Sequence, residues 1–302
     1  MPSPPADRVI QVLQFLTTHP GGAFTLSDLS RHLSISKGTA HALLATLTER
    51  AILTRNPATN EYRLGPALIP IGAVAERGFG ALAHARREAE ALVATVDAEC
   101  LILMPGGDDL ISLGRFGTPG PLSAGYMEGQ RHPFAPPLGA AIVAWQDDAA
   151  VAAWLDRSVP PLPKADRTRL GRALAAIRAQ GYAVARRVPG IFDLYELYAR
   201  DNHYTLEGRR RIAEALTALA RDKRYLVTTG AIPAKAELST VETPVFDHDG
   251  AVLFIMCVVV RERTPVSEAP GLARALTRAA GNVMVAIDGR PPIAARNPGA
   301  SA

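Results

Sequence analysis

The sequence predicts an α+β chain with an N-terminal winged helix-turn-helix (three helices plus a β-hairpin wing), a linker helix, and a larger C-terminal domain in which helices flank a mainly antiparallel sheet. Three observations predict it. Residues 25–50 hold two short helical patterns joined by a small polar turn. Two extended runs around a turn-rich pentapeptide follow at once. The rest of the 302 residues mixes strands and helices unevenly and closes with an antiparallel strand pair, the pattern of segregated α+β layers.

The elements follow in order. Residues 1–5 read as a loose Pro-rich arm. Residues 7–18 place Val9, Ile10, Val12, Leu13, Phe15 and Leu16 on one broad apolar side, and His19-Pro20-Gly21-Gly22 stops that helix. Thr25 caps the next one, residues 26–33, and Asp28 completes a capping-box pairing. Leu26, Leu29 and Leu33 recur at helical spacing and form its apolar face. The turn is Ser34-Ile35-Ser36, with Ile35 as buried anchor and Ser36 as N-cap of a helix that turns Ala40, Leu43, Leu44 and Leu47 inward. Residues 52–55 and 61–64 pair across Asn56-Pro57-Ala58-Thr59-Asn60 as a hairpin, which behind a helix-turn-helix is a wing. In such a unit the leading end of the second helix enters the major groove of duplex DNA. The residues this places against DNA are Ser36, Lys37, Gly38, Thr39 and His41, with Arg55 and Arg63 on the wing strands. Taken singly, Lys37 is a solvated lysine and His41 a surface residue; the spacing of the whole unit carries the reading.

Charge agrees without demanding it. The net charge is +4 and the pI about 9.3. The first eighty residues hold seven Lys or Arg against five acids, so phosphate attraction per protomer is modest and useful affinity calls for a dimer. Cys100 and Cys257 sit in apolar runs with no second Cys or His at metal spacing, which predicts buried reduced thiols and no metal site. No signal peptide is visible, and the longest apolar run, residues 251–260, is too short to span a bilayer. A soluble cytoplasmic protein without a membrane partner or cofactor is expected.

The remainder divides as residues 66–80, a linker helix with Leu68, Ile71 and Val74 on one side and a Gly78-Phe79-Gly80 hinge; residues 81–289, the second domain; and residues 290–302, a loose tail. The second domain opens with a helix over 81–97. Strands follow at 100–104 and 110–115, with a further one at 122–127. Helices are expected at 138–145, 149–155 and 167–180, the last stopped by Gly181. A strand starts at Tyr182, two helical segments occupy 192–200 and 206–224, and strands come at 225–229, 239–246 and 252–260 before a closing helix over 268–287. The arginines of 206–224 read as a solvated helix face. Asp247-His248-Asp249-Gly250 reads as a hairpin turn rather than a metal site.

The chain resembles the IclR family of bacterial transcriptional regulators. The likeness is carried by Ala6-Asp-Arg-Val-Ile-Gln-Val-Leu13, Leu26-Ser-Asp-Leu-Ser-Arg-His-Leu33, residues 36–47, Tyr62-Arg-Leu-Gly-Pro66, Ile177-Arg-Ala-Gln-Gly-Tyr-Ala-Val184 and Pro244-Val-Phe-Asp-His-Asp-Gly250. It implies a C-terminal GAF-like ligand-sensing domain, a homodimer or tetramer, and operator DNA as partner. Three departures stand out. Gly38 and Ala42 replace a Ser and an Arg usual in the family's recognition helix. Phe134-Ala-Pro-Pro-Leu-Gly-Ala-Ala141 replaces a polar loop that carries a lysine. Residues 187–237 are longer and more helical than usual. Carried over, the effector walls are Leu138, Gly139, Ala140, Val241, Met256, Cys257 and Val258, nearly all apolar. An uncompensated carboxylate there is costly, so the resemblance implies a small-molecule effector that is apolar or aromatic, or a packed core with none.

Enzyme readings are weak. Pro121-Leu-Ser-Ala-Gly125 lacks the first glycine of a nucleophile elbow, and Ser34-Ile-Ser-Lys37 belongs to the helix-turn-helix. No catalytic residue is assigned and no enzymatic activity is expected. The alternatives are an enzyme or ligand-binding protein that uses the second domain, or a winged-helix adaptor that binds protein instead of DNA.

Overall fold

The computed structural model describes residues 3–19, 21–120, 126–200, 206–227, 235–261 and 263–292. Its first part runs α1 (Pro4–Thr17), β1 (Phe24–Thr25), α2 (Leu26–His32), α3 (Lys37–Glu49), β2 (Leu53–Arg55) and β3 (Glu61–Leu64). Pro4 and Pro5 open α1 instead of lying in a loose arm; proline suits a first turn because the N–H it lacks has no helical acceptor there. Thr25 and Asp28 cap α2 reciprocally: each backbone N–H donates to the other's side chain, at 3.1 and 3.2 Å. Val12, Phe15, Leu16, Leu29, Leu44, Leu47, Leu53 and Tyr62 form one buried cluster that fixes α3 and the hairpin together. The short β1, absent from the sequence expectation, pairs with β3, so the small sheet has the order β1-β3-β2.

Next come α4 (Leu68–Gly78) and α5 (Gly80–Val93), then β4 (Ala98–Gly106), β5 (Asp109–Phe116), β6 (Arg131–Pro133), α6 (Ala140–Val143), α7 (Asp148–Asp156) and α8 (Lys164–Gln180). The chain continues as β7 (Ala183–Arg186), α9 (Pro189–Arg200), α10 (Leu206–Arg221), β8 (Leu238–Phe246), β9 (Val252–Val260) and α11 (Ala269–Ala286). The large sheet has the order β6-β5-β4-β9-β8-β7, antiparallel throughout. Residues 122–125 of the strand expected at 122–127 lie outside the described residues, and Tyr126 and Met127 are not in a strand; β6 pairs with β5 instead. The strand expected at 225–229 reduces to a bridge between Leu226 and Ala185, with residues 228–229 outside the described set. The helix expected at 138–145 is a single turn, because Gly139 enters it with φ 80°.

Two cores flank this sheet. Cys100, Ile102, Val241, Phe254, Met256 and Val258 pack against α5 and α11. Leu101, Leu103, Ile255, Cys257 and Val259 face the layer made by α6 to α10. Among the described residues no helix is long and apolar enough to cross a membrane.

Gly65 seals the wing to the body of the winged helix. Its N–H donates to the Ile52 carbonyl at 2.7 Å, and a Cβ there would run into the Ala51 carbonyl oxygen. Gly65→Ala is therefore expected to destabilise the N-terminal unit by ~2 kcal/mol through overpacking. Scanning calorimetry should show its transition lowered while that of the sheet domain stays put.

Candidate functional site

The DNA-facing candidates gather at the head of α3. Ser36 caps the helix, its Oγ accepting from the Thr39 N–H at 3.1 Å and lying 2.9 Å from Thr39 Oγ1. That pairing holds Thr39 against the cap and leaves Lys37, Gly38, His41 and Ala42 exposed, while Ala40, Leu44 and Leu47 point inward. Gly38 is open space: a Cβ there would meet only Ser36 Oγ, at 4.0 Å. A bare helix N-terminus with free N–H groups suits a phosphate.

The two wing arginines do not act alike. The register sets Arg55 opposite Tyr62 and Thr54 opposite Arg63, so the arginines stand on opposite faces of the hairpin. Arg55 bonds Asn60 Oδ1 and lies 5.9 Å from the Tyr62 ring, turned toward the helices. Arg63 is exposed on the outer face. Sequence reasoning missed Arg8 and Gln11 of α1, which line a groove of about 370 Å³ together with Ser36 and Thr39. Their signal is faint, two polar residues on a largely apolar helix.

The seven effector candidates do not come together. Leu138, Ala140 and Cys257 belong to the core under α6–α10, whereas Val241, Met256 and Val258 pack on the opposite face against α5 and α11. The β pleat is the reason: Met256, Cys257 and Val258 are consecutive, so the middle one must face away from its neighbours. Gly139 is held by Phe134, whose ring a Cβ would strike, and Leu138 is pinned through its carbonyl by Trp154 Nε1 at 2.9 Å.

What lies over Cys257 is supplied by the long segment after β7. Tyr195 and Tyr198 of α9, Tyr225 beyond α10, and Tyr126 with His132 near β6 are all buried. Ring centroids are 4.5 Å apart for Tyr126 and His132, 4.7 Å for His132 and Tyr198, and 5.8 Å for Tyr126 and Tyr195. Burial pushes all four tyrosines well above the usual phenol range, so each is a neutral hydrogen-bonding group. Ile191, Leu194, Tyr195 and Tyr198 recur at helical spacing, a signal present in the sequence. Asp109 locks α10 to the sheet: it accepts from Arg209 at 2.8 Å and from Arg131 at 2.9 Å. Arg210–Glu214 and Arg211–Glu207 on α10 are surface pairs, as on a solvated face, whereas Arg221 reaches Asp166 of α8 at 3.8 Å.

Glu242 of β8 shares this face with Cys257, its partner in register. Burial raises its pKa from 4.5 to about 7, with the Thr240 hydroxyl acting the other way. Burial likewise raises the Cys100 thiol to about 12 and Cys257 well above the ordinary thiol range; both cysteines are free. Asp247 accepts the N–H groups of Asp249 and Ala251, which makes the segment around His248 a turn.

Residues 5–57 match the family model of the IclR helix-turn-helix domain. The N-terminal unit is an IclR-type helix-turn-helix domain, and the chain as a whole is similar to IclR-family transcriptional regulators. It is 28% identical to the HTH-type transcriptional regulator XynR of Escherichia coli over 190 residues, 59% of this chain and 72% of that one. Its fold matches an IclR transcriptional regulator from Alicyclobacillus acidocaldarius with a TM-score of 0.65 at 20% identity, covering 94% of this chain and 99% of the other. An IclR homolog from Microbacterium hydrocarbonoxydans, solved with 4-hydroxybenzoate, superposes with a TM-score of 0.61 at 17% identity, covering 94% and 99%.

The raised carboxyl predicts a pH effect on stability. Below pH 4.5 Glu242 is protonated in folded and unfolded chains and costs nothing. Between about 4.5 and 7 the unfolded chain gives up the proton first, so stability falls as pH rises, and the loss is complete above 7. Glu242→Gln should therefore stabilise the protein at pH 8 by on the order of 2 kcal/mol and change nothing at pH 4.5. Thermal melts across that range check it, and parallel curves would refute it.

Proposed function

We propose that this regulator binds a two-fold operator as a homodimer, with the leading turn of α3 in the major groove. The observation that carries the reading is the exposed head of α3: Lys37, Gly38 and His41 stand free at a capped helix end while the rest of the helix is locked into the core. Ser36, Thr39 and Arg63 complete the DNA-facing surface, and Arg55 acts from the inner side of the wing. Few polar side chains face the bases, so affinity leans on phosphate contacts from two copies and on operator spacing.

A dimer is supported by α4. None of its residues is buried, although Ile69, Ile71 and Val74 are 73, 57 and 60% exposed. An apolar helix left in water is a surface for another copy of the chain. The effector, on this reading, sits on the sheet face that carries Cys257, under α9 and α10, lined by Tyr126, Tyr195, Tyr198 and Tyr225. The fold relative crystallised with 4-hydroxybenzoate supports an aromatic ligand. The signal passes through the sheet: Phe254, on the other side of β9, lies 6.3 Å from the hinge residue Phe79, between α4 and α5.

Lys37→Ala with Arg55→Ala should weaken operator binding and flatten the plot of log affinity against log salt, by roughly 0.9 for each phosphate no longer neutralised. Mobility-shift titrations on fragments selected from genomic DNA measure both, and unchanged titrations would reject the interface. Ile69→Asp with Val74→Asp should shift the protein to monomers in analytical ultracentrifugation. A dimer that survives the pair would remove α4 from the interface.

A further inference from the structure

One ionisable group on the proposed effector face has no role in DNA binding. Glu242 stands mid-sheet, between Cys257 of β9 and Ala183 of β7. α9 and the segment after α10 bring Tyr195 and Tyr225 within electrostatic reach of its carboxyl. Protein encloses it, yet the side chain is only half-buried, whereas its neighbour Val241 is 0% exposed. A space of solvent size therefore borders the residue.

The described surroundings hold no counter-ion for it. Among the described residues no Lys, Arg or His forms an ion pair with Glu242. The arginines that border the cluster turn to other acids: Arg209 to Asp109 at 2.8 Å, Arg115 to Glu99 at 2.8 Å, Arg187 to Glu237 at 3.8 Å, and Arg186 toward Asp222. His132 lies beyond the rings of Tyr126 and Tyr198. The groups that face the carboxyl are Thr240 on its own strand, the Cys257 thiol, and the phenols of Tyr195 and Tyr225. In the same cluster the Tyr198 hydroxyl, on a side chain 4% exposed, has no hydrogen-bond partner among the described residues.

We propose that this site takes a cationic ligand of the amine class, with the Glu242 carboxylate as its counter-ion and the Tyr195 and Tyr225 rings against its body. The inference rests on the concave face being the effector site and adds the sign of the ligand's charge. An anion would meet a like charge here with no unmatched cation among the described residues to hold it, and would drive the carboxyl to its neutral form. A cation ionises the carboxyl, satisfies it, and is attracted by the ring faces. A neutral ligand gains neither term.

Three probes of one shape separate the outcomes: 4-hydroxybenzylamine, 4-hydroxybenzyl alcohol and 4-hydroxybenzoate, titrated calorimetrically into the full chain at pH 8. The amine should bind at least roughly tenfold tighter than the alcohol, and the benzoate weakest. Glu242→Gln should bring the amine down to the level of the alcohol. If that variant does not fold, the parent protein still decides. Its amine affinity should rise about tenfold from pH 6 to pH 8 as the carboxyl ionises, while the alcohol stays flat. Benzoate binding tightest, or amine and alcohol binding alike, overturns the charge assignment and leaves the effector site standing. Failure of all three to bind overturns both.

Discussion

The pleat of β9 is the constraint on which the C-terminal half depends. Its alternate residues serve two cores on opposite faces of the sheet. Ile255, Cys257 and Val259 close the floor under the tyrosines, and Phe254, Met256 and Val258 hold α5 and α11. Neither set can move without the other, because both hang from one backbone bonded on each side to β4 and β8. A packed interior transmits displacement in this way instead of absorbing it. The proposed path from ligand to hinge therefore needs no separate device: Phe254 is one pleat away from the effector face and next to Phe79.

The winged helix works by the opposite principle. Its core is small, and its caps do much of the positioning: Thr25 and Asp28 at α2, Ser36 at α3. The buried cluster fixes the angle of α3 and the Ser36 cap closes its first turn, so its head can be left bare. Gly38 and Ala42 keep that head slim, which lets the backbone approach DNA closely but offers few groups that discriminate bases. On the proposed dimer, recognition depends on how two such heads are spaced, and spacing is what a linker helix with an unburied apolar face can set.

Much of this was legible in the sequence where the physics is local. Capping residues, the 3.6-residue spacing of Leu26, Leu29 and Leu33, and the Asp-Gly turn before β9 depend on neighbours a few positions away, and the structure places them as the pattern predicts. The two-sided core follows from alternation, and the same alternation should have split Met256, Cys257 and Val258 between faces. The tyrosine cluster was half legible: Tyr195 and Tyr198 share a helix face, but Tyr126 and Tyr225 join them only through the fold. The lock of Arg209 on Asp109 spans a hundred residues, and no local pattern announces it. Glu242 reads in sequence as the polar position of a half-buried strand; only the covering by α9 and its sequel makes it an interior acid.

Hydrogen exchange of the full chain, with and without a DNA fragment it selects, tests the central claim most directly. The account predicts slowed exchange over residues 36–42 and on the wing, together with a change at the Phe79 hinge. Slowing confined to the sheet domain, with the first turn of α3 exchanging as it does in the unbound protein, would contradict it.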